Sequence, residues 1–490
     1  MIAIASIGRV VGIFLIVLSV FMLAPAVLMI VLRESHWAEF LLAAGITALC
    51  GLALAARPGP VLSRLSTREA FLLTTTSWTA VGLFGALPLV LVEHIDFVDA
   101  LFEAMSGITT TGATVLTNLE THARGILLWR SLLQWLGGIG FVVMGIAILP
   151  FLRVGGMRLF RSESSDWSDK VTPRFGPFAR SVLLIYIGLS ALCALAYYLQ
   201  GMSVFDAVNH AMTTISTGGF STHDASMGYF RRADVSSGVL GLSIHWTAIG
   251  FMLLGALPFS LYVLALRGQF RPLFLDRQVR GLLRFLILVT IALSIALQVG
   301  HDRPLLVWVT DVGFNVVSVV TTTGYASEDY TLWGPVAHVA FFYLMFVGGC
   351  SGSTSGAIKM FRFQVASISL RRQLKRLVHP NAVIAERYND RDVSEDIIRS
   401  LIGFSFFYAL TIAILAMFLA LLGIDLITSL TGAVTAVGNV GPGLGNVIGP
   451  AQTFADLPDS AKLALSIGML LGRLEIMTVL VLFTRPYWLN

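Results

Sequence analysis

One small-residue motif recurs four times in this 490-residue chain. It reads Thr110-Thr111-Gly112-Ala113, Ser216-Thr217-Gly218-Gly219, Thr322-Thr323-Gly324-Tyr325 and Asn439-Val440-Gly441-Pro442. Aligned on Gly112, Gly218, Gly324 and Gly441, the first three copies are 106 residues apart and the fourth follows after 117. A period of that size marks an internal repeat of a whole structural unit, larger than any solenoid repeat. Nine residues before the glycines stand Glu103, Asn209, Asn315 and Gly432, and thirteen before stand Asp99 and Asp311. Glycine reaches backbone conformations closed to other residues, so each stretch can turn its carbonyl oxygens toward a shared axis. Stacked carbonyl rings replace the hydration shell of a monovalent cation. The candidate ion ligands are therefore main-chain groups of Thr110, Thr111 and Gly112, of Ser216, Thr217 and Gly218, of Thr322, Thr323 and Gly324, and of Asn439, Val440 and Gly441.

Two other places carry chemistry. The run Gly348-Gly349-Cys350-Ser351-Gly352-Ser353-Thr354-Ser355-Gly356 interrupts a segment otherwise apolar enough to span a bilayer. Glycine costs a helix about 1 kcal/mol per residue, so the run breaks it. Close helix packing by small residues, a phosphate cradle and a flexible loop that blocks a pore all compete as readings. The cradle lacks the Gly-Lys-Ser/Thr ending, and Lys359 falls too late. Arg473 is a single arginine inside the apolar run Leu463–Phe483. An ionisable side chain at membrane depth is functional by default, and a fixed charge facing a wet pore would act as a barrier to cations. Pairing with Glu475 is the alternative, weakened because neighbours two apart on a helix face different ways. Glu93, Asp96 and Asp99 could concentrate cations at an outer mouth. Cys350 and Ser351 lack any accompanying His or acid pattern, which argues against an intramembrane enzyme.

The elements that must position these groups are membrane helices. The chain is 56% hydrophobic and 12% charged, with mean hydropathy +0.81, whereas soluble domains carry about 25% charged residues. Apolar runs of about 20 residues recur, the length that crosses a bilayer. The net charge of +5 comes from arginines between those runs, which follows the positive-inside rule and does not point to nucleic acid. Cys50, Cys193 and Cys350 have neither metal-site spacing nor a disulfide pattern. No stretch resembles a soluble catalytic or nucleotide-binding domain.

Segments Val10–Leu32 and Trp37–Ala56 read as an uncleaved transmembrane hairpin despite the Ala24-Pro25-Ala26 sequence. Four units of span, half-helix, Gly loop and span follow. The spans are Ala70–Val92 and Gly125–Leu152, Ser181–Leu199 and Gly238–Leu266, Leu282–Val299 and Pro335–Met360, and Leu401–Leu422 and Leu463–Phe483. The half-helices are Asp96–Thr109, Phe205–Ile215, Leu306–Val320 and Leu426–Val437. The fold class is thus all-α and polytopic, with ten spans and four helix–pore-helix–helix repeats on a pseudo-fourfold axis. The divisions are 1–68 for the hairpin, then 69–160, 161–275, 276–395 and 396–490 for the repeats. Basic loops carrying Arg57, Arg64 and Arg68, then Arg153, Arg158, Arg161, Lys170, Arg174 and Arg180, then Arg267 to Arg284, follow even-numbered spans. They place both termini in the cytoplasm, and Arg362–Arg399 reads as a cytoplasmic helical linker.

Together the four Gly loops, the Gly348–Gly356 run and Gly472-Arg473-Leu474-Glu475-Ile476 resemble the TrkH/TrkG/KtrB superfamily of potassium transporters, over nearly the whole chain. The added hairpin resembles the Trk branch. That resemblance implies potassium as the transported ion, a bacterial inner-membrane location, and no organic cofactor. It implies a homodimer with one pore per subunit and a cytoplasmic TrkA-like nucleotide-binding regulatory subunit. It favours the gate reading of residues 348–356. Tyr325 stands where Phe is frequent. Gly112, where sodium-admitting plant relatives often place Ser, favours potassium. A sodium-permeable transporter of the same architecture, an intramembrane enzyme and a partner-recruiting scaffold are the rival readings. A channel and a symporter both fit these residues.

Overall fold

The computed structural model describes residues 4–56, 66–147, 175–231, 238–298, 303–382, 387–389 and 391–489. Arg57, Arg64 and the basic stretch with Arg153, Arg158, Arg161, Lys170 and Arg174 lie outside the described residues. The rest is a helical bundle whose described strands are two two-residue pairs.

The N-terminal hairpin comprises Ile4–Leu32 and Trp37–Ala55. Its helices cross where Gly12 faces Gly51, and a Cβ at either glycine would strike the partner's backbone. Small residues let two membrane helices approach this closely, where lipid offers no hydrophobic drive for association. The hairpin packs Leu15, Met22, Met29 and Phe40 against Trp129 and Leu133. The Trp129 indole N–H donates to the Gly85 carbonyl at 2.9 Å, as a buried indole must find an acceptor. A second, larger core joins the remaining helices around Phe314, Tyr325, Phe259 and Val437. Leu184, Leu288 and Ile414 instead point outward and are exposed, as expected of a surface bathed in lipid.

Among the described residues six helices are long and apolar enough to cross a membrane, and two bent pairs pass as one span each. Ten were expected. Pro335–Leu344 is short because the Gly-rich run stops it. Arg124–Ala147 is not among the passing helices, and it carries Arg130 and Gln134. The expected spans Gly238–Leu266 and Leu463–Phe483 are broken. The first bends by 91° between Ala256 and Phe259, at Pro258, which cannot continue a helix. The second bends by 102° after Arg473, where Glu475 (φ 57°) and Ile476 (φ 29°) leave the helical region. Among its described residues the expected helical linker is not one continuous helix: its first helix is Met360–Val378. It continues into an antiparallel pair, Arg387–Tyr388 with Arg391–Asp392, before the helix Glu395–Leu421.

Candidate functional site: four carbonyl turns and a loop beneath them

Four short helices, Phe97–Ile108, Val204–Ile215, Leu305–Val320 and Leu426–Gly438, each end at one of the Gly turns. The turns share one construction. A left-handed residue comes first: Thr110 (φ 54°), Thr217 (51°), Thr322 (57°) and Asn439 (54°). The next N–H donates to the carbonyl five residues back, Thr111 to Ser106, Gly218 to Thr213, Thr323 to Ser318 and Val440 to Thr435, at 2.8 to 3.0 Å. A positive-φ glycine follows, namely Gly112, Gly219, Gly324 and Gly441.

The second copy therefore sits one residue out of the expected register. Gly219 is the match of Gly112, while Gly218 matches Thr111 and Ser216 matches Thr109 and Thr321. Equal spacing favoured the wrong member of the Gly218-Gly219 pair; the structural spacings are 107, 105 and 117. The shift also replaces Asn209 by His210 as the match of Glu103 and Asn315, and brings Asp206 into line with Asp99 and Asp311.

The glycines show how the turns meet. A Cβ on Gly112 would strike the Gly218 carbonyl oxygen, on Gly219 that of Thr323, on Gly324 that of Val440, and on Gly441 that of Thr111. Each separation is under 3.0 Å, which real Cβ atoms essentially never adopt. The contacts run in chain order and return from the fourth turn to the first, so the four turns close into a ring. The struck carbonyls belong to one structural position, which puts four oxygens at one level. Small residues are required there because each turn leaves no space for its neighbour's side chain.

Polar side chains on the short helices hold the chain after each turn. Glu103 accepts from the Val115 N–H at 2.9 Å and from the Thr114 hydroxyl at 2.9 Å. His210 Nε2 lies 3.0 Å from Ser221 Oγ, and the Asn315 amide donates to Ser327 Oγ at 2.8 Å. Tyr325 crosses to the second short helix. Its hydroxyl donates to the His210 carbonyl at 3.1 Å and lies 2.5 Å from Thr213 Oγ1. A phenylalanine there would leave this buried contact unmade.

Two residues missed in the sequence complete the brace. Arg130, buried within Arg124–Ala147, forms a 2.6 Å ion pair with buried Glu103 and donates to the Ser221 carbonyl at 3.1 Å. Its guanidinium lies 4.1 Å from the Phe220 ring centroid. It ties the first turn to the second. Gln134, one helical turn on, donates to the Gly218 carbonyl at 2.6 Å and accepts from the Phe220 N–H at 3.0 Å. Among the described residues no hydrogen bond reaches the matching carbonyls of Thr111, Thr323 and Val440. The signal for Arg130 was the one that singled out Arg473: an ionisable residue within an apolar run.

Beneath the ring lies the Gly348–Gly356 stretch. It is not a helix packed by small residues, nor is it loosely held. Val347–Gly348 pairs in parallel with Ile358–Lys359 and closes its neck. Cys350, Ser353, Thr354 and Ser355 are fully buried. The break at Pro258 frees the carbonyls of Gly255 and Ala256, helix-end acceptors that need partners. The N–H groups of Thr354 and Cys350 supply them at 3.2 and 2.9 Å. The Thr354 hydroxyl donates to the Ile215 carbonyl at 3.1 Å, the Gly356 N–H to Thr322 Oγ1 at 2.7 Å, and the Ala357 N–H to the Gly438 carbonyl at 2.8 Å. The stretch thus hangs from the second, third and fourth turns.

Arg473 is 1% exposed. Its Nη1 donates to the Thr354 carbonyl at 2.8 Å and its Nη2 to the Gly137 carbonyl at 3.3 Å. It does not pair with Glu475, whose carboxylate takes Arg362 at 2.7 Å. The expected free projection into a wet path is likewise replaced by these two carbonyls.

The acids expected at an outer mouth, and their structural matches, are largely compensated. Asp99 pairs with Lys462 at 2.5 Å and Glu93 with His122 at 2.6 Å. Asp206 lies 3.5 Å from His223 Nε2 and Asp311 2.9 Å from Arg231. Asp96 stays exposed at the start of the first short helix. Among the described residues no group of three His, Cys, Asp or Glu side chains is arranged for a metal ion, and Cys50, Cys193 and Cys350 are free thiols.

A ring of backbone turns enclosed by apolar, partly broken helices is the build of a polytopic membrane transporter. Comparison with known proteins agrees. The chain belongs to the TrkH family of cation transport proteins, whose profile matches residues 46–487. The family consists of transporters and not enzymes. The chain is 52% identical to the Trk system potassium uptake protein TrkI of Halomonas elongata, over 99% of this chain and 97% of that one. It is 35% identical to the Trk system potassium uptake protein TrkH of Escherichia coli, over 99% of each. The crystal structure of the potassium transporter TrkH from Vibrio parahaemolyticus superposes with a TM-score of 0.89 at 33% identity, covering 99% of both chains.

Proposed function

We propose that this chain carries potassium into the bacterial cell across the inner membrane, through the axis of the four-turn ring. The observation that carries the reading is the cyclic contact of Gly112, Gly219, Gly324 and Gly441 with carbonyls of the adjacent turns. A dehydrating monovalent cation needs oxygens on all sides at once, and backbone dipoles in a closed ring supply them without a fixed negative charge. The ring comprises Thr110–Gly112, Thr217–Gly219, Thr322–Gly324 and Asn439–Gly441, with Ser216 one position lower. Each short helix ends at the ring, so its C-terminal, partly negative end faces the ion. Inward flow is driven by the membrane potential, about 2.3 kcal/mol per charge per 100 mV. The named function of its relatives and the absence of carboxylates among the ring residues Thr110–Gly112, Thr217–Gly219, Thr322–Gly324 and Asn439–Gly441 both favour an alkali cation over a divalent one.

Residues 348–356 with Arg473 act as the gate in this reading, because they close the underside of the ring. The division into a hairpin (1–68) and four repeats (69–160, 161–275, 276–395, 396–490) belongs to the same reading. So do cytoplasmic termini, assembly as a homodimer, and control by a TrkA-like nucleotide-binding subunit acting from the basic face. Potassium is cargo, and no organic cofactor is required.

The test is growth rescue of a potassium-uptake-deficient bacterial strain at low potassium, paired with rubidium flux into liposomes holding the purified protein. Rescue by the native chain and its loss in Gly219→Ala support the reading. Sodium flux equal to potassium flux would favour the sodium-permeable alternative.

A further inference from the structure

At the basic end of the bundle, the start of helix Arg277–Gln298 and the first half of helix Met360–Val378 enclose an open cleft of about 620 Å³. Arg277, Arg280, Arg284 and Arg371 line it together with Phe363 and Tyr388. Among the described residues no carboxylate lies within ion-pair distance of any of these four arginines. The nearby carboxylate of buried Asp276 is already committed. It accepts from the Gln278 and Val279 N–H groups at 2.8 and 3.1 Å and from the Asn389 amide at 3.0 Å. Arg280 caps the Leu275 carbonyl and Arg277 donates to the Arg387 carbonyl at 3.1 Å. Among the described residues neither has an anionic partner.

The helix that supplies three of these arginines continues as an apolar track. Arg277, Arg280 and Arg284 stand three and four residues apart, so they share one helix face. Ile287, Leu288 and Ile291 extend the same face and are exposed. One stripe therefore passes from guanidinium groups to lipid-facing aliphatic side chains within two turns. That order matches an amphiphile with an anionic head and hydrocarbon tails, and it does not match a free anion. Basic pockets between membrane helices are suited to such head groups, and arginine matches phosphate oxygens with a planar fork of donors.

We propose that this cleft binds the phosphate headgroup of an anionic glycerophospholipid, with its acyl chains along Ile287, Leu288 and Ile291. Both walls also touch the loop beneath the ring. Gln278 Oε1 accepts from the Ser351 N–H at 2.9 Å, and the Met360 N–H donates to the Gly349 carbonyl at 3.0 Å. A headgroup between the walls fixes their separation next to that loop. The binding inference itself does not depend on the transport reading.

The experiment is native mass spectrometry of the full-length protein in detergent, titrated with phosphatidylglycerol or phosphatidylcholine. A parallel arm adds excess inorganic phosphate. The variants are Arg284→Gln/Arg371→Gln and the charge-preserving Arg284→Lys/Arg371→Lys; both positions are exposed, and thermal unfolding checks that each variant is folded. Phosphatidylglycerol should bind the native protein in preference to phosphatidylcholine. The Gln variant should lose about fivefold in that affinity per arginine, since a basic residue near anionic lipid contributes about 1 kcal/mol. The Lys variant should keep most of it, and inorganic phosphate should not strip the lipid. Equal binding of the two lipids, or undiminished phosphatidylglycerol binding in the folded Gln variant, overturns the proposal. Displacement by inorganic phosphate overturns the lipid source and makes the cleft a soluble-anion site. Unchanged lipid binding with lost capture of a cytoplasmic partner makes it a protein-docking surface instead.

Discussion

Arg473 holds the Thr354 carbonyl through one guanidinium nitrogen at 2.8 Å and the Gly137 carbonyl through another at 3.3 Å. The loop's hydrogen bonds described above reach the second, third and fourth turns. Gly137 packs on the end of the first short helix, where its Cβ would strike the Ile108 carbonyl. One side chain therefore links the loop to the unit that the loop's own bonds leave out. In the proposed gate, its position, and not its charge alone, would make it a closure.

Arg473→Ala should raise potassium flux in liposomes by at least about tenfold. Hydrogen bonds from a charged donor are worth about 1.5–3 kcal/mol each, and two are lost. The potassium-to-sodium permeability ratio should stay near the native value, because the ring contacts involve other residues. Arg473→Lys should fall between, since one ammonium cannot copy the planar fork that spans two carbonyls. Unchanged flux with a lower unfolding temperature would reduce Arg473 to a structural clasp.

The register of the second turn separates Gly218 from Gly219 experimentally. Gly219 has φ 81°, and its Cβ would strike the Thr323 carbonyl, a backbone group with no room to move. Gly218 has no positive φ, and the first atoms its Cβ would meet belong to the Gln134 side chain. Gly219→Ala should abolish growth rescue at low potassium or erase discrimination against sodium. Gly218→Ala should be milder, and Gln134→Ser should relieve it in the double variant, a coupling that a double-mutant cycle measures. Equal loss in both single variants, with no relief, would restore the register centred on Gly218.

Much of this architecture was legible in the residues. Apolar runs of bilayer length marked the spans, and the Thr-Thr-Gly copies marked the turns, because both depend on local composition. What was missed depends on contacts distant in sequence. The offset at Gly218-Gly219 arose because two adjacent glycines satisfy the same pattern, and the positive φ of Gly219 with its close approach to the Thr323 carbonyl decides between them. The order of the Gly348–Gly356 stretch comes from Ile215 and Gly255, more than ninety residues away. The break after Arg473 falls on Glu475 and Ile476, residue types that do not announce positive φ. By contrast Pro258 and Arg130 were readable signals. A proline interrupts a span and a charge inside one needs a partner, by the same rules that picked out Arg473.

The buried pair Glu103–Arg130 should dominate the stability of the first two turns. Both side chains are at most 1% exposed. Removing one member of a buried pair strands the other and costs about 3–5 kcal/mol. Arg130→Met should therefore lower the unfolding temperature sharply in detergent and weaken growth rescue. Adding Glu103→Gln should recover part of the stability, because the stranded carboxylate is gone while an acceptor for Val115 remains. No recovery in the double variant would mean that Arg130 acts chiefly through the Ser221 carbonyl and the Phe220 ring.

The last prediction concerns pH at the loop that follows the first turn. His122 Nδ1 lies 2.6 Å from the Glu93 carboxylate and Nε2 lies 3.0 Å from the Thr117 carbonyl. Both neighbours are acceptors, so the ring fits best with a proton on each nitrogen. The hydrogen bond to Glu93 raises the His122 pKa above its ordinary value, against opposition from partial burial and from Arg130. A group whose folded pKa exceeds its unfolded one stabilises the fold fully below the unfolded value of about 6.5. That contribution fades as pH rises through the raised folded value. Measured in detergent from about pH 5 to about pH 8, the native protein should lose this increment of thermal stability on going alkaline. His122→Gln keeps a polar contact but cannot titrate, so its curve should be flatter and meet the native one at the alkaline end. Glu93→Gln should flatten the curve too, because the raising partner is removed. Parallel curves for the native protein and His122→Gln would show that the pH response lies elsewhere, and the His122–Glu93 contact would then be a neutral hydrogen bond.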